Sequence, residues 1–230
     1  FAEIAGLPIR EGDKLSVSDL LSVDDVDYKV GNIDFEGSVE IAGDVFDGYS
    51  VRATGSILVK GVAGACMLEA GANITIEGGC NGQEKATIVC GGNLEAKYLN
   101  AVTVEARGDI VVKNEIVDCA VRCLGRVHVK AGAVYGGSIM AKKGIEVLDA
   151  GNDMSVKTEL LPGEDFEMRA TCMKVEAELL EKHKEMTAIS KRIAPLMEKK
   201  EQLKNLPEEM KKKLKETIQY LNRLREEREQ

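Results

Sequence analysis

The chain has 230 residues, with 31 Lys and Arg against 39 Asp and Glu and a formal charge of −8. Apolar residues make up 44% of it and there are only 4 prolines, which argues against wholesale disorder and excludes a collagen-like repeat. The longest apolar runs fall far short of the roughly 18 residues needed to cross a bilayer. Residues 1–163 carry 24 acidic and 15 basic side chains, so no bulk basic face is available to nucleic acid. The chain opens on Phe1, without a charged, apolar, small-residue leader, which reads as a fragment with an upstream segment missing.

Residues 1–36 read as a lead-in. Asp13, Asp19, Asp24, Asp25 and Asp27 fall between residues 10 and 36 and predict a charged N-terminal cap on the repeat region.

A repeat governs residues 37–163. Its unit is glycine, one or two small or polar residues, then an apolar–x–apolar strand, as in Gly37-Ser38-Val39-Glu40-Ile41 and Gly108-Asp109-Ile110-Val111-Val112. The first apolar positions are 39, 57, 74, 94, 110, 127 and 145, at intervals of 16–20 residues. A second row runs in step at Val51, Leu68, Ile88, Val104, Val121, Ile139 and Val156. Two residues beyond each stands a small one, Ala53, Ala70, Cys90, Ala106, Cys123, Ala141 and Thr158. Alternation of this kind marks strands with one buried face, and strands this short bury that face only by stacking coil on coil. The spacing therefore predicts a single-stranded parallel β-helix of seven coils, roughly triangular in section and on the order of 30 Å long. A six-residue beat at 39, 45, 51 and 57 also suits a left-handed hexapeptide helix. That beat slips at 57–74 and 74–94, and the default sense of parallel crossovers makes a right-handed coil the expectation.

From about Glu164 the glycines stop and the period changes. Met168, Cys172, Val175, Leu179, Met186, Ile189, Ile193, Leu196 and Leu203 succeed one another at threes, fours and sevens, a heptad seam. Pro195 lies inside it and should kink the helix or remove a hydrogen bond. Asn205-Leu206-Pro207-Glu208-Glu209 reads as a stop and a new start, leading into a second seam through Met210, Leu214, Ile218, Leu221 and Leu224. Residues 164–230 are thus predicted to form an antiparallel coiled-coil hairpin, an arm. Its partner or self-association contacts are expected at Leu179, Met186, Ile189, Ile193, Leu196, Leu214, Ile218 and Leu221.

Chemistry is harder to find. The six cysteines (66, 80, 90, 119, 123 and 172) form no CxxC pair, and His128 and His183 form no HxxxH pair, so a zinc site is a poor reading. Cys90 and Cys123 fall in one small-residue stack with Ala106 between them, about 9–10 Å apart at the strand spacing and beyond disulfide reach. All six read as small buried residues of a reducing, cytosolic compartment. His128 points outward between Val127 and Val129 and could serve as the base of a hexapeptide acyltransferase, but no partner carboxylate or serine is evident beside it. Glu40, Glu77, Glu95, Glu105 and Glu146 read as solvating residues. The looser stretches 78–85 and 133–137 read as corners, not catalytic loops, and no phosphate-loop motif occurs. No catalytic residue, cofactor or metal is predicted, and the protein is not expected to be an enzyme.

The run Tyr28-Lys29-Val30-Gly31-Asn32-Ile33-Asp34-Phe35-Glu36-Gly37-Ser38-Val39, joined to the later coils, to Gly136-Gly137 and to the arm with Leu206-Pro207-Glu208, resembles the bacterial flagellar assembly protein A family. The resemblance spans roughly residues 7–230. It implies a cytoplasmic protein, acting in flagellar assembly or polar placement through flagellar or polar-localisation partners, with no known reaction to carry over. The expected function is a non-enzymatic scaffold that also self-associates. A bactofilin-like cytoskeletal polymer and, from another class, a hexapeptide-type acyltransferase are the alternatives.

Overall fold

The computed structural model describes residues 7–11, 14–151 and 156–198, together with Glu216, Gln219 and Tyr220. The chain divides into two compact units, Phe1–Phe166 and Glu167–Gln230.

The first unit is a parallel β-solenoid. The first side of each coil contributes one strand to an eight-stranded sheet: Leu20–Val23, Ser38–Ile41, Ile57–Val59, Ile74–Ile76, Leu94–Ala96, Ile110–Val112, Arg126–Val129 and Gly144–Glu146. The third side builds a nine-stranded sheet that starts at Ile33–Phe35 and ends with Asp149–Ala150 and Thr158–Pro162. Between them runs a narrow second side whose inward row is Val26, Val45, Ala63, Cys80, Leu99, Ile116 and Val134, with Ala150 next in register but exposed. From Cys80–Cys90 onward the second and third sides fuse into one bent strand. The bend recurs at Glu84, Ala101, Asp118 and Gly136, with φ of 61°, 50°, 48° and 70°, so the corner turns by a left-handed residue inside the strand. Of the two stretches read as corners, Gly78–Lys85 runs from the end of the first side into that strand, and Ala133–Gly137 lies within the equivalent strand of the seventh coil.

Inward residues stack on their own kind. Ile57, Ile74, Leu94 and Ile110 succeed one another on the first side, and Leu68, Ile88, Val104 and Val121 on the third. Of these, Ile57 and Val121 are 1% exposed and the others 0%. Full burial of such a side chain is worth about 1.5–3 kcal/mol, so the continuous stack is the main source of stability. Among the described residues no polar or charged side chain is buried.

Most glycines at the corners before first-side strands answer to steric contact between coils; Gly144 has open space about it and is a glycine of positive φ, 122°. A Cβ on Gly55 would come within 2.8 Å of the Gly37 carbonyl oxygen, and one on Gly108 within 2.7 Å of that of Gly92. The Gly55 N–H donates to the same Gly37 oxygen at 2.7 Å. The residue just before the first inward apolar position of these strands carries a second ladder, unforeseen in the sequence. Ser38 Oγ accepts the Ser56 N–H at 3.2 Å, Ser56 Oγ accepts that of Asn73 at 3.3 Å, and Asn73 Oδ1 accepts that of Asn93 at 2.8 Å. Asn93 Oδ1 and Asp109 Oδ1 continue it to Asp109 and Arg126, where the side chain offers no acceptor and the ladder ends.

Two features of the repeat differ from expectation. An additional coil, Leu20 to Phe35, precedes the seven marked by glycine, so there are about eight. Asp19 occupies its corner; among the described residues no strand pairs with the outer edge of Leu20–Val23, so no neighbouring coil there demands a glycine. Asp25, predicted to belong to a charged cap, is a rung: its Oδ1 accepts the Asp44 N–H at 2.8 Å, and Asp44 Oδ1 accepts that of Val62 at 2.7 Å. Ahead of this coil Leu7–Glu11 and Lys14–Ser18 pair as an antiparallel hairpin. At the other end, Leu160 and Pro162, not Val156 and Thr158, sit in register with Ile139 and Ala141. Ten residues separate Ala150 from Leu160 where five separate Val134 from Ile139, and this insertion moves the last row.

The tail opens as the helix α1 (Phe166–Glu198), which runs through Pro195. Phe166 is buried, and Lys142 Nζ lies 2.8 Å from Asp165 Oδ2 just before it. α1 is the one continuous helix among the described residues. Glu216, Gln219 and Tyr220 are also helical, and the remainder of the predicted second helix lies outside the described residues.

Candidate interaction surfaces

His128 does have a carboxylate partner, contrary to the reading from sequence. Register places it directly beneath Glu146 of the next coil, with His128 Nδ1 3.0 Å from Glu146 Oε2. A separation of 18 residues in sequence hides a separation of one strand in space. The pair lies on the open face of the first sheet, with the Glu146 side chain 62% exposed. Among the described residues, His128 lines none of three surface depressions on this unit. One is bounded by Asp24, Asp25, Asp27, Lys29 and Glu40, another by the Arg52–Glu69 ion pair with Asp34, Glu105 and Arg107, and the third by Asn114, Glu115, Tyr135 and Asp149.

Two of the outward glutamates read as solvating residues carry lysine partners on the exposed face. Glu40 meets Lys60 at 2.7 Å and Glu95 meets Lys113 at 3.3 Å, each a coil apart. The hydrogen bond that Lys60 donates to Glu40 raises the Lys60 pKa, the carboxylate charge acting in the same sense. These are exposed pairs, screened by salt, and they contribute little to stability.

Five cysteines are buried, as expected, and Cys172 on α1 is not. The registers Cys90–Ala106 and Ala106–Cys123 place an alanine between those two thiols. Burial pushes Cys66, Cys90, Cys119 and Cys123 up to about 11, and Cys80 higher still. Thiols held neutral in this way are poor nucleophiles and poor metal ligands. Among the described residues no group of three His, Cys, Asp or Glu side chains could hold a metal.

α1 shows the opposite character. Along its first turns Met168 is 65% exposed, Met173 63%, Val175 49%, Leu179 43% and Leu180 55%. Met186 and Ile189 further along are half-buried. Beside them the Tyr220 hydroxyl donates to Glu185 Oε1 at 3.1 Å, so by residue 220 the chain has returned alongside the helix. Of the predicted seam, Leu179, Met186 and Ile189 are therefore placed on α1. Ile193 and Leu196 lie on its backbone with side chains outside the described set, and Leu214, Ile218 and Leu221 fall outside the described residues. Met173 and Leu180, off the heptad row, were not predicted.

No helix among the described residues is long and apolar enough to span a membrane. Comparison with curated proteins and with solved structures returned no match to either. The sequence model of the flagellar assembly protein A β-solenoid domain, by contrast, matches residues 19–230, from the corner of the first coil through the helical tail, and the chain belongs to that family.

Proposed function

We propose that this protein is a non-enzymatic scaffold for flagellar assembly or polar placement, acting in the cytoplasm through protein contacts of the solenoid faces and of a helical arm. The observation that carries this reading is the apolar row left exposed on α1 in a member of a flagellar assembly family. The solenoid supports it from the other side, since five thiols are buried and His128, although paired with Glu146, lies on an open face and lines none of the three surface depressions. The arm in this reading is an antiparallel coiled-coil hairpin, for which the Tyr220–Glu185 contact is the support. The coil is taken as right-handed.

The test is complementation of a deletion strain, scored by flagellar number, position and swimming. The intact gene should restore all three, and a version ending at Gly163 should not, at equal protein level. Failure of His128→Ala to complement, with the protein folded and present, would replace the scaffold reading with a chemical one.

A bactofilin-like polymer has one observation in its favour: among the described residues no strand pairs with the outer edges of Leu20–Val23 and Gly144–Glu146 on the first side. Charge opposes it. Residues 19–36 hold six acids and one lysine, and residues 144–163 hold four acids and one lysine, so stacking end on end would bring like charges together.

A further inference from the structure

The apolar row of α1 changes character at Lys182. Met168, Cys172, Val175 and Leu179 precede it at steps of four, three and four, and Met186 and Ile189 continue on the same face. The distal pair is half-buried beside the returning segment, whereas the four proximal residues are exposed. Met173 and Leu180 widen that exposed surface.

We infer that the proximal half of the seam, Met168 to Leu180, is the contact with a second copy of this chain. This rests on the hairpin reading of the arm and names the occupant that reading leaves open. The hairpin's own strand of sequence is a poor occupant. With Tyr220 at Glu185, an antiparallel return would bring residues 225–230 opposite positions 175–180, and those six are Arg, Glu, Glu, Arg, Glu and Gln. None is apolar, so the return supplies nothing to cover Val175, Leu179 or Leu180.

Charge favours the arm over the solenoid as the place where two copies meet. Residues 1–163 carry nine more acids than bases, so two solenoids repel one another. Residues 164–230 carry 15 acids and 16 bases, and two arms approach without that penalty. A row of Met, Cys, Val and Leu at heptad spacing is also self-complementary. Brought together about a two-fold axis, each copy offers the other the apolar surface it lacks.

Sedimentation equilibrium of the whole chain over a wide concentration range tests this. The expected result is a species of twice the chain mass, reduced to the single-chain mass by Val175→Glu with Leu179→Glu. Both sites are exposed, so helical circular dichroism should be unchanged. A chain that stays single at all concentrations overturns the inference, and so does a dimer indifferent to the double substitution. The hairpin is read separately with Glu185→Cys and Tyr220→Cys in a Cys172→Ser background. Oxidation should close a disulfide within one chain. A bond between chains would overturn the hairpin reading, while the mass measurement still decides whether residues 168–180 form the dimer contact.

Discussion

The carboxamide oxygen of Asn93 accepts the backbone N–H of Asp109 at 2.8 Å, one coil further along the chain. Asp109 then does for Arg126 what Asn93 does for it. The carboxamide thus satisfies a corner N–H that no strand ladder reaches. Asn93→Ala should therefore lower stability by about 1 kcal/mol, the usual net worth of one such bond. Asn93→Asp, which keeps an acceptor in place, should cost less. Paired urea melts of the two variants check this, and equal losses would show that the rung carries nothing.

The buried thiols give the solenoid a pH dependence at the alkaline end. Cys66, Cys90, Cys119 and Cys123 are held at about 11 against an ordinary value of 9.0, so the folded state keeps protons that the unfolded chain releases. Stability is then fully present below pH 9 and falls as pH rises from about 9 to about 11. Thermal melts across that range should show the fall, and replacing the four together with Cys80, whose thiol is pushed higher still, by alanine should flatten it. A thiol reagent at pH 8 should modify Cys172 in the native chain and all six cysteines after denaturation.

Legibility in the sequence tracked the steric demand. Where coil lies on coil, as at Gly55 over Gly37, the chain must use glycine, and the period was readable. Where that demand lapses, as at Asp19, the coil is present and the signature is not. The inward rows were readable for the same reason until the insertion between Ala150 and Leu160 broke the count. Contacts between coils were the hidden part. His128 and Glu146 are neighbours only once the register is known, and Asn93 looks like any polar residue after a glycine until its acceptor is seen to reach the next coil. On α1 the heptad row was legible, but not which half would be covered, since that depends on where Tyr220 returns.

The core and the face of the first sheet should respond very differently to truncation. Leu94 is fully buried between Ile74 and Ile110, and Leu94→Ala should cost about 2–5 kcal/mol through lost transfer energy and the cavity left behind. His128→Ala removes one partner of an exposed pair and should cost less than about 1 kcal/mol. Chemical denaturation of both separates a stacking-driven fold from one held by its surface pairs, and comparable losses would contradict the former.

Gly108 tests the steric origin of the repeat directly. Its φ is not in the left-handed region, so the backbone conformation itself would admit alanine; the obstacles are the Asn93 side-chain oxygen, which stands nearest, and the Gly92 carbonyl oxygen, 2.7 Å from where a Cβ would stand. That oxygen also accepts the Gly108 N–H at 2.8 Å, so the two coils cannot separate to make room without stretching the bond that joins them. Overpacking of this kind costs about 1–3 kcal/mol. Gly108→Ala should therefore fall in that range in a urea melt. A neutral outcome would mean that the coils have slack and that glycine is kept at this corner for some reason other than contact.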